Sequence, residues 1–336
     1  MRRRRFLLAL LVVLVVAAGG IYLGNASWLA PAPTGTPKLL AHRGVHQNFD
    51  LAGVTNDTCT ATRIREPLAP EIENTLPSIE AAFDLGADVI ELDVHPTTDG
   101  QFAVFHDWTL DCRTEGHGET RAHDMAYLKT LDVGFGYTAD GGRTFPLRGK
   151  GVGMMPSLGD VMAAFPDGRF LINFKSNEAR EGDMLATMVA ANPAWRDRIF
   201  GVYGGGPPTD EAMRQMPGLP GYTLASIKAC LLPYLALGWS GYLPAACRNT
   251  IVPVPINFAS WLWGWPNRFL DRMSGAGSAV LLLGPYSPGD AGSSGIDTAA
   301  EAAAVPPHFD GYVWTNEIEA VAPLLKPGRG AGAPQG

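Results

Sequence analysis

The chain has 336 residues, 46% hydrophobic and 18% charged, with a formal net charge of −7. That is enough apolar material for one large core, and length allows one or two domains. Arg2–Arg5 carry four of the positive charges, so the remainder is more acidic still. Such a surface repels polyphosphate backbones, and no basic stripe interleaved with aromatics offsets it, which argues against a nucleic-acid partner.

The N-terminus reads "MRRRR" and then an apolar run from Phe6 to Leu23. A bilayer core about 30 Å thick takes roughly 20 apolar residues at helical rise, and leading arginines stay on the cytoplasmic side. Residues 1–5 are therefore expected in the cytoplasm, 6–24 as an uncleaved transmembrane signal anchor and 25–37 as a linker ending in "PAPTGTP". The remainder would lie outside a single-pass protein of the inner membrane. The alternative is a secreted chain, cut near Asn25–Ser27 or beside the small residues Ala30 and Ala32. The order Arg3-Arg4-x-Phe6-Leu7 also resembles a twin-arginine signal, weakly.

From Lys38 onward, short continuous apolar runs alternate with amphipathic stretches. Strands are expected at 38–44, 89–94, 102–107, 169–175, 198–204, 221–226, 251–256, 279–284 and 311–316. Continuous rather than alternating apolar character suits parallel strands buried on both faces. Helices are expected after Thr75, over 156–168 and over 315–326. The first has a threonine cap, an early Pro77, a stripe of Ile79, Ala82 and Phe83, and a stop at Gly86. Repetition of strand, loop and helix predicts an α/β chain with a (β/α)8 barrel, an open doubly wound sheet being the alternative. Nine candidate strands for eight places mean that one is not a barrel strand. Residues 38–326 form this unit, and "PGRGAGAPQG", residues 327–336, is expected as a frayed tail.

The cysteines, Cys59, Cys112, Cys230 and Cys247, show no zinc-ligand spacing. They suit an oxidising compartment. Of three possible pairings, Cys59–Cys112 and Cys230–Cys247 are preferred, with four reduced buried thiols as the alternative.

Polar residues gather at the C-terminal ends of strands, where barrels build sites: "AHRG" (41–44), "ELDV" (91–94), "VFHD" (104–107) and "NFKS" (173–176), with "ENT" (73–75) opening the first helix. Glu91 and Asp93 share a strand face, where two like charges repel and lose hydration. A divalent cation, Ca2+ or Mg2+, would relieve both costs; a buried salt bridge is the plainer explanation. His42 and His106 end strands beside acids and cations, so one can accept a proton while the other donates. Arg43 and Lys175 supply positive charge to the same rim, as an anion such as a phosphate requires. The other histidines, His46, His95, His117, His123 and His308, are expected to be structural or surface groups. Asp99-Gly100 is turn chemistry between neighbouring strands.

Taken in order, "AHRG", "IENTLPSIEAAFDLGADVIELDV", "DGQFAVFHDWTLDCRTEGHG" and "PSLGDVMAAF" resemble the glycerophosphodiester phosphodiesterase family, well over Lys38 to Lys175 and loosely beyond. The resemblance implies a TIM barrel of the PLC-like phosphodiesterase type, with a small insertion after the third strand, here residues 106–156. It implies His42 and His106 as the acid–base pair, Arg43 and Lys175 on the substrate phosphate, Glu91 and Asp93 on the metal, Glu73 at or near it, and Asn74 fixing the loop or substrate. The family's third acidic ligand is replaced by Asn173, whose amide oxygen can still ligate a hard cation but brings no charge. A substrate-packing tryptophan is missing from 279–289, and Trp314 is its candidate substitute.

The implied reaction is metal-dependent hydrolysis of a glycerophosphodiester, through attack by the glycerol 2-hydroxyl, to sn-glycerol 3-phosphate and an alcohol. The aromatic stretch 256–270 raises a second reading, a phospholipase-D-like enzyme on intact or lyso-phospholipids. Asn173 is the sole support for a third, a silent phosphodiester- or lipid-binding barrel.

Overall fold

The computed structural model describes residues 2–50, 53–55, 58–288 and 294–327; all of the expected tail past Pro327 lies outside them. The strands are β1 (Lys38–His42), β2 (Val89–Pro96), β3 (Phe102–Val104), β4 (Phe170–Phe174), β5 (Ile199–Gly204), β6 (Ile251–Pro255), β7 (Ala279–Leu283) and β8 (Tyr312–Thr315). The helices are α1 (Arg2–Asn25), α2 (Leu76–Asp84), α3 (Met125–Leu128), α4 (Leu158–Ala164), α5 (Arg180–Ala191), α6 (Gly206–Gln215), α7 (Leu224–Leu237), α8 (Ile256–Ala259), α9 (Asn267–Gly275), α10 (Ala299–Ala304) and α11 (Ile318–Leu325).

The sheet runs β5-β4-β2-β1-β8-β7-β6, all parallel. Pairing of the first strand with the last curls it into the barrel and excludes the open doubly wound alternative. Two expected strands fall differently. Of the 102–107 run only Phe102–Val104 is strand, β3, which returns antiparallel onto β2 and stands off the barrel path, with His106 two residues past its end; the turn containing Asp99-Gly100 makes this hairpin. The 221–226 run is not a strand. Only Gly221 bridges Val202, and then the Thr223 hydroxyl accepts the Ser226 amide to cap α7. That short bridged segment takes the place between β5 and β6, with Val202 N donating to Pro220 O and Tyr222 N to Val202 O.

The period-two alternation of the strands separates two cores. Leu40, Val89, Leu171, Phe200, Ile251, Leu281 and Tyr312 pack together inside the barrel. Their neighbours Leu39, Ile90, Ile172, Val252, Val280 and Val313 face the helices. Side chains on the inner face, followed two residues toward each strand's C-terminus, become His42, Glu91, Asp93 and Asn173. The 106–156 insertion brings a core of its own, with Leu110, Met125, Leu131 and Leu147 packing on Ile64 and Ile72. Cys59 is bonded to Cys112 and Cys230 to Cys247.

α1 is long and apolar enough to cross a membrane, with none of its apolar window buried. Its end is seated on the barrel. Asn25 Nδ2 donates to Trp239 O at 2.7 Å, Arg272 Nη2 to Asn25 Oδ1 at 3.1 Å, and the Asn267 amide to Ser27 Oγ at 2.9 Å. The first residues of the stretch expected as a linker are thus hydrogen-bonded to the barrel.

Candidate active site

Strand register sets the floor of the site. His42 lies level with Glu91, while Asp93, Asn173 and Tyr203 form the next row. Above them a cavity of about 530 Å3 is lined by His42, Arg43, His106, Asn173, Lys175, Tyr203 and Trp314.

Arg43 and Asn74 both adopt left-handed backbone, φ 60°, which non-glycine residues rarely do. The Asn74 amide donates to Arg43 O, locking the two bends together. Gly44 follows at φ 80°, and a Cβ there would stand 2.3 Å from Ser78 Oγ. That hydroxyl donates to the carbonyls of Arg43 and Val45. The chain is thereby folded tightly enough to turn Arg43 inward.

Four carboxylates, Glu73, Glu91, Asp93 and Asp107, share this floor with three cations, Arg43, Arg113 and Lys175. Asp93 is fully occupied. Oδ2 meets Arg43 Nε at 3.1 Å and Asn74 Nδ2 at 3.0 Å, while Oδ1 meets Lys175 Nζ at 3.3 Å and Asn173 Nδ2 at 2.9 Å. Burial opposes its charge, but Lys175 and Arg43 hold its carboxyl well below the usual range. Glu91 is the reverse. Burial first, then the Asp93 charge, push its pKa up. Tyr203 OH donates to Glu91 Oε1 at 2.8 Å, and the buried Oε2 has no hydrogen-bond partner.

Glu73, expected at or near a metal, has both oxygens engaged. Arg43 Nη1 donates to Oε1 and Arg113 Nη1 to Oε2, each at 3.0 Å. Burial works against its charge, yet the two guanidinium groups, Arg113 foremost, bring its pKa down to about 2. Among the described residues no three His, Cys, Asp or Glu side chains converge as a ready metal site. The donors nevertheless suit a hard cation. Glu91 Oε2 is orphaned in the interior, Asp93 adjoins it on the same strand face, and Asn173 can turn its amide oxygen to either.

The histidines are oriented through their Nδ1 atoms. His42 Nδ1 donates to Asn316 Oδ1 at 2.6 Å. The amide is held the right way round because Asn316 Nδ2 donates to Asp297 Oδ2 at 2.7 Å and Asn316 N to Asp297 Oδ1 at 2.6 Å. His106 Nδ1 donates to Asp107 Oδ1 at 2.6 Å, and Arg113 Nε donates to Asp107 Oδ2 at 2.9 Å. In both neutral rings Nε2 is left bare. Burial, then the Arg43 charge, lower His42 well below the usual imidazole range. Burial, Arg43 and Lys175 bring His106 down to about 4.

Trp314, on β8, is buried with its ring 4.8 Å from the His42 ring and Nε1 unpartnered. Trp314, the candidate substitute for the tryptophan missing from 279–289, thus stands in the last strand, beside the first. Two histidines set aside as structural are also close. His46 stacks edgewise on His42 at 5.9 Å, and buried His95 contacts the His106 carbonyl at 3.4 Å. Sequence reasoning missed Asp107, Arg113, Tyr203 and Asn316. The first had a signal, as the residue after a strand-end histidine; the other three had none.

Three comparisons bear on identity. Residues 42–200 match the glycerophosphoryl diester phosphodiesterase family. A glycerophosphodiester phosphodiesterase of Caldanaerobacter subterraneus is 37% identical over 105 residues, 31% of this chain and 39% of the relative. The chain therefore spans about two fifths of that relative's length. The glycerophosphoryl diester phosphodiesterase domain of a Mycobacterium tuberculosis protein superposes with a TM-score of 0.59 at 16% identity, over 86% of this chain and 98% of that one. An Oleispira antarctica phosphodiesterase, solved with the product sn-glycerol-3-phosphate, gives 0.53 at 18% identity, over 86% and 96%. At such identities the two structures establish the barrel fold.

Proposed function

The chain belongs, through residues 42–200, to the glycerophosphoryl diester phosphodiesterase family, and on that premise we propose that it hydrolyses glycerophosphodiesters to sn-glycerol 3-phosphate and an alcohol. The observation that carries this reading is the cavity floor. Two histidines with bare Nε2 atoms and two cations, Arg43 and Lys175, line one cavity of about 530 Å3.

Charge balance supports a cation there. Arg43, Arg113 and Lys175 already balance Glu73, Asp93 and Asp107, so ionising Glu91, whose pKa burial and Asp93 push up, leaves one negative charge in excess. A divalent ion and a singly charged phosphodiester together close the account to neutrality. Glu91 and Asp93 are the proposed ligands, with Asn173 as an uncharged third and Glu73 holding Arg43 and Arg113 in place. When bound, the ion adds Lewis-acid charge at a phosphoryl oxygen.

Arg43 and Lys175 would orient the phosphodiester and stabilise charge building on its oxygens. His42, hydrogen-bonded to a neutral amide, is suited to stay unprotonated, so its Nε2 is the proposed base. It takes the proton of the glycerol 2-hydroxyl as that oxygen bonds to phosphorus. His106, backed by the Asp107 carboxylate, better supports a positive ring and is the proposed acid. Its Nε2 would first take up a proton from solvent, the Asp107 carboxylate stabilising the charged ring, and then give that proton to the departing alcohol oxygen as the P–O bond breaks. The roles then reverse as water opens the cyclic phosphate. Trp314 would pack on the glycerol unit, its Nε1 offering a hydroxyl partner. Release of glycerol phosphate from glycerophosphocholine and glycerophosphoethanolamine, after EDTA and with Ca2+, Mg2+ or Mn2+ restored, tests the reading. Turnover absent with every ion, in a folded protein, refutes it.

A second reading, turnover of lyso-phospholipids, draws support from Phe49, Val54 and Leu224, which line the cavity with apolar surface. Faster release from lyso-lipid than from glycerophosphocholine would favour it.

α1 is proposed to cross the inner membrane, with Arg2–Arg5 inside and the barrel and its two disulfides outside. Docking of Asn25 and Ser27 on the barrel supports a retained anchor over a cleaved signal, since a cut after Ala30 would discard both contacts.

A further inference from the structure

A helix on a barrel's surface buries one stripe and shows water a polar face. α7 breaks that rule. Its sequence, LASIKACLLPYLAL, is apolar on every side and has one charged residue, Lys228. The inner side is accounted for by Cys230, bonded to Cys247, and by Tyr234. On the outer side Leu224 is 67% exposed and Leu232 60%, with Leu237 and Trp239 exposed beyond them. The loop after α8 widens the patch. Exposed Trp263 donates its Nε1 to Leu235 O at 2.8 Å, and Trp261, two residues before it in the chain, is 66% exposed.

Two features say what covers this face. The anchor leaves the barrel at one end of it, where Asn25 is bonded to the Trp239 carbonyl. The cavity opens at the other end, where Leu224 is part of the lining. The 14 residues of α7 place these ends about 21 Å apart at helical rise. Exposed tryptophans beside leucines, with a single lysine able to extend toward lipid phosphates, are the composition of an interfacial surface.

We propose that the outer face of α7, together with Trp261, lies in the interfacial layer of the bilayer that α1 crosses, so that the cavity opens beside lipid head groups. This rests on the reading of α1 as a retained span, and it points to glycerophosphodiesters that are lipids or are released at the lipid surface.

The test uses the full chain in phosphatidylcholine–phosphatidylglycerol vesicles, plain or with brominated acyl chains. A bimane label is placed in turn at Val13→Cys, Leu232→Cys and Glu80→Cys. Glu80 is exposed on α2, which follows β1, on the opposite side of the barrel from α7. Leu237→Cys is a second reporter should Leu232→Cys not fold. Bromination should reduce fluorescence at Val13 and Leu232 on the order of twofold, as burial several ångströms into the acyl boundary requires, and leave Glu80 unchanged. Loss at Val13 with none at Leu232 and Leu237 overturns the docking face and leaves the anchor standing. No loss at Val13 removes the anchor, and the proposal with it. Change at Leu232 with protein concentration but not with bromine assigns the face to a second copy of the chain and overturns the proposal.

Discussion

Asp107→Asn is the sharpest test of how His106 is held. The carboxylate sits between two donors, His106 Nδ1 at 2.6 Å and Arg113 Nε at 2.9 Å. An amide has one acceptor to offer them. If its oxygen faces His106, its NH2 meets the Arg113 N–H. If its NH2 faces His106, the ring must carry its proton on Nε2, and that atom can no longer receive one. Either arrangement forfeits a charge-assisted hydrogen bond, about 1.5–3 kcal/mol. Arg113 keeps Glu73 at 3.0 Å, so its buried charge is still partnered and the fold should survive. Misplaced acid–base chemistry should lower kcat about 10^2–10^4-fold, with KM changed far less, because Arg43 and Lys175 are untouched. Steady-state kinetics on glycerophosphocholine, beside a thermal melt, measure both effects. A folded variant with near-normal kcat, or one whose whole defect lies in KM, would refute the orienting role of Asp107.

Four further outcomes are expected. Arg113→Lys keeps the charge but cannot bridge Glu73, Asp107 and Thr60 at once; kcat should fall on the order of tenfold or more, by the loss of one bond of at least about 1.4 kcal/mol, and an unchanged kcat counts against the bridge. Asn173→Asp restores an acidic donor beside Asp93, so calorimetry should show a divalent ion bound about tenfold tighter; unaltered affinity removes position 173 from the proposed ligands. The Cys59→Ser/Cys112→Ser pair opens a cross-link with a sequence separation of 53, which loop-closure entropy values at about 4 kcal/mol; denaturant unfolding checks this, and a loss under ~1 kcal/mol argues against it. Glu317 is raised to about 7 by burial, then by the Asp297 and Glu319 charges. A carboxyl raised on folding binds its proton more tightly in the native state, so stability should decline between its ordinary value and about pH 7. Glu317→Gln should flatten the melting temperature over that window, and an unaltered slope refutes the assignment.

How much of the site could be read from residues alone follows from which forces placed them. Glu91 and Asp93 were legible because strand period puts positions i and i+2 on one face, and in a barrel that face is the interior. His42 and Arg43 were legible because they end the first strand, where the chain turns over the sheet. The same logic overreached at 221–226, where four apolar or small residues read as strand. Thr223 and Ser226 in fact exchange side-chain and backbone bonds as a capping box, a local signal that outweighs a short apolar run. At 102–107 the run was real but its direction was not encoded in it. The turn through Thr98, Asp99 and Gly100, closed by Thr97 N donating to Gln101 O, returns the chain antiparallel onto β2, and that hairpin carries His106 to the rim. Asn316, Tyr203 and Arg113 were beyond reach for a different reason. Their partners, His42, Glu91 and Glu73, are separated from them by 274, 112 and 40 residues respectively, and no periodicity links such pairs. Only closure of the barrel brings β8 to β1. Only the separate core of the 106–156 insertion, packed on Ile64 and Ile72, delivers a guanidinium under Glu73. That guanidinium explains why a carboxylate legible as a metal ligand is already committed. Arg113 and Arg43 hold its pKa down near 2 and its oxygens in place, so the burden of binding a cation falls on Glu91 and its orphaned oxygen.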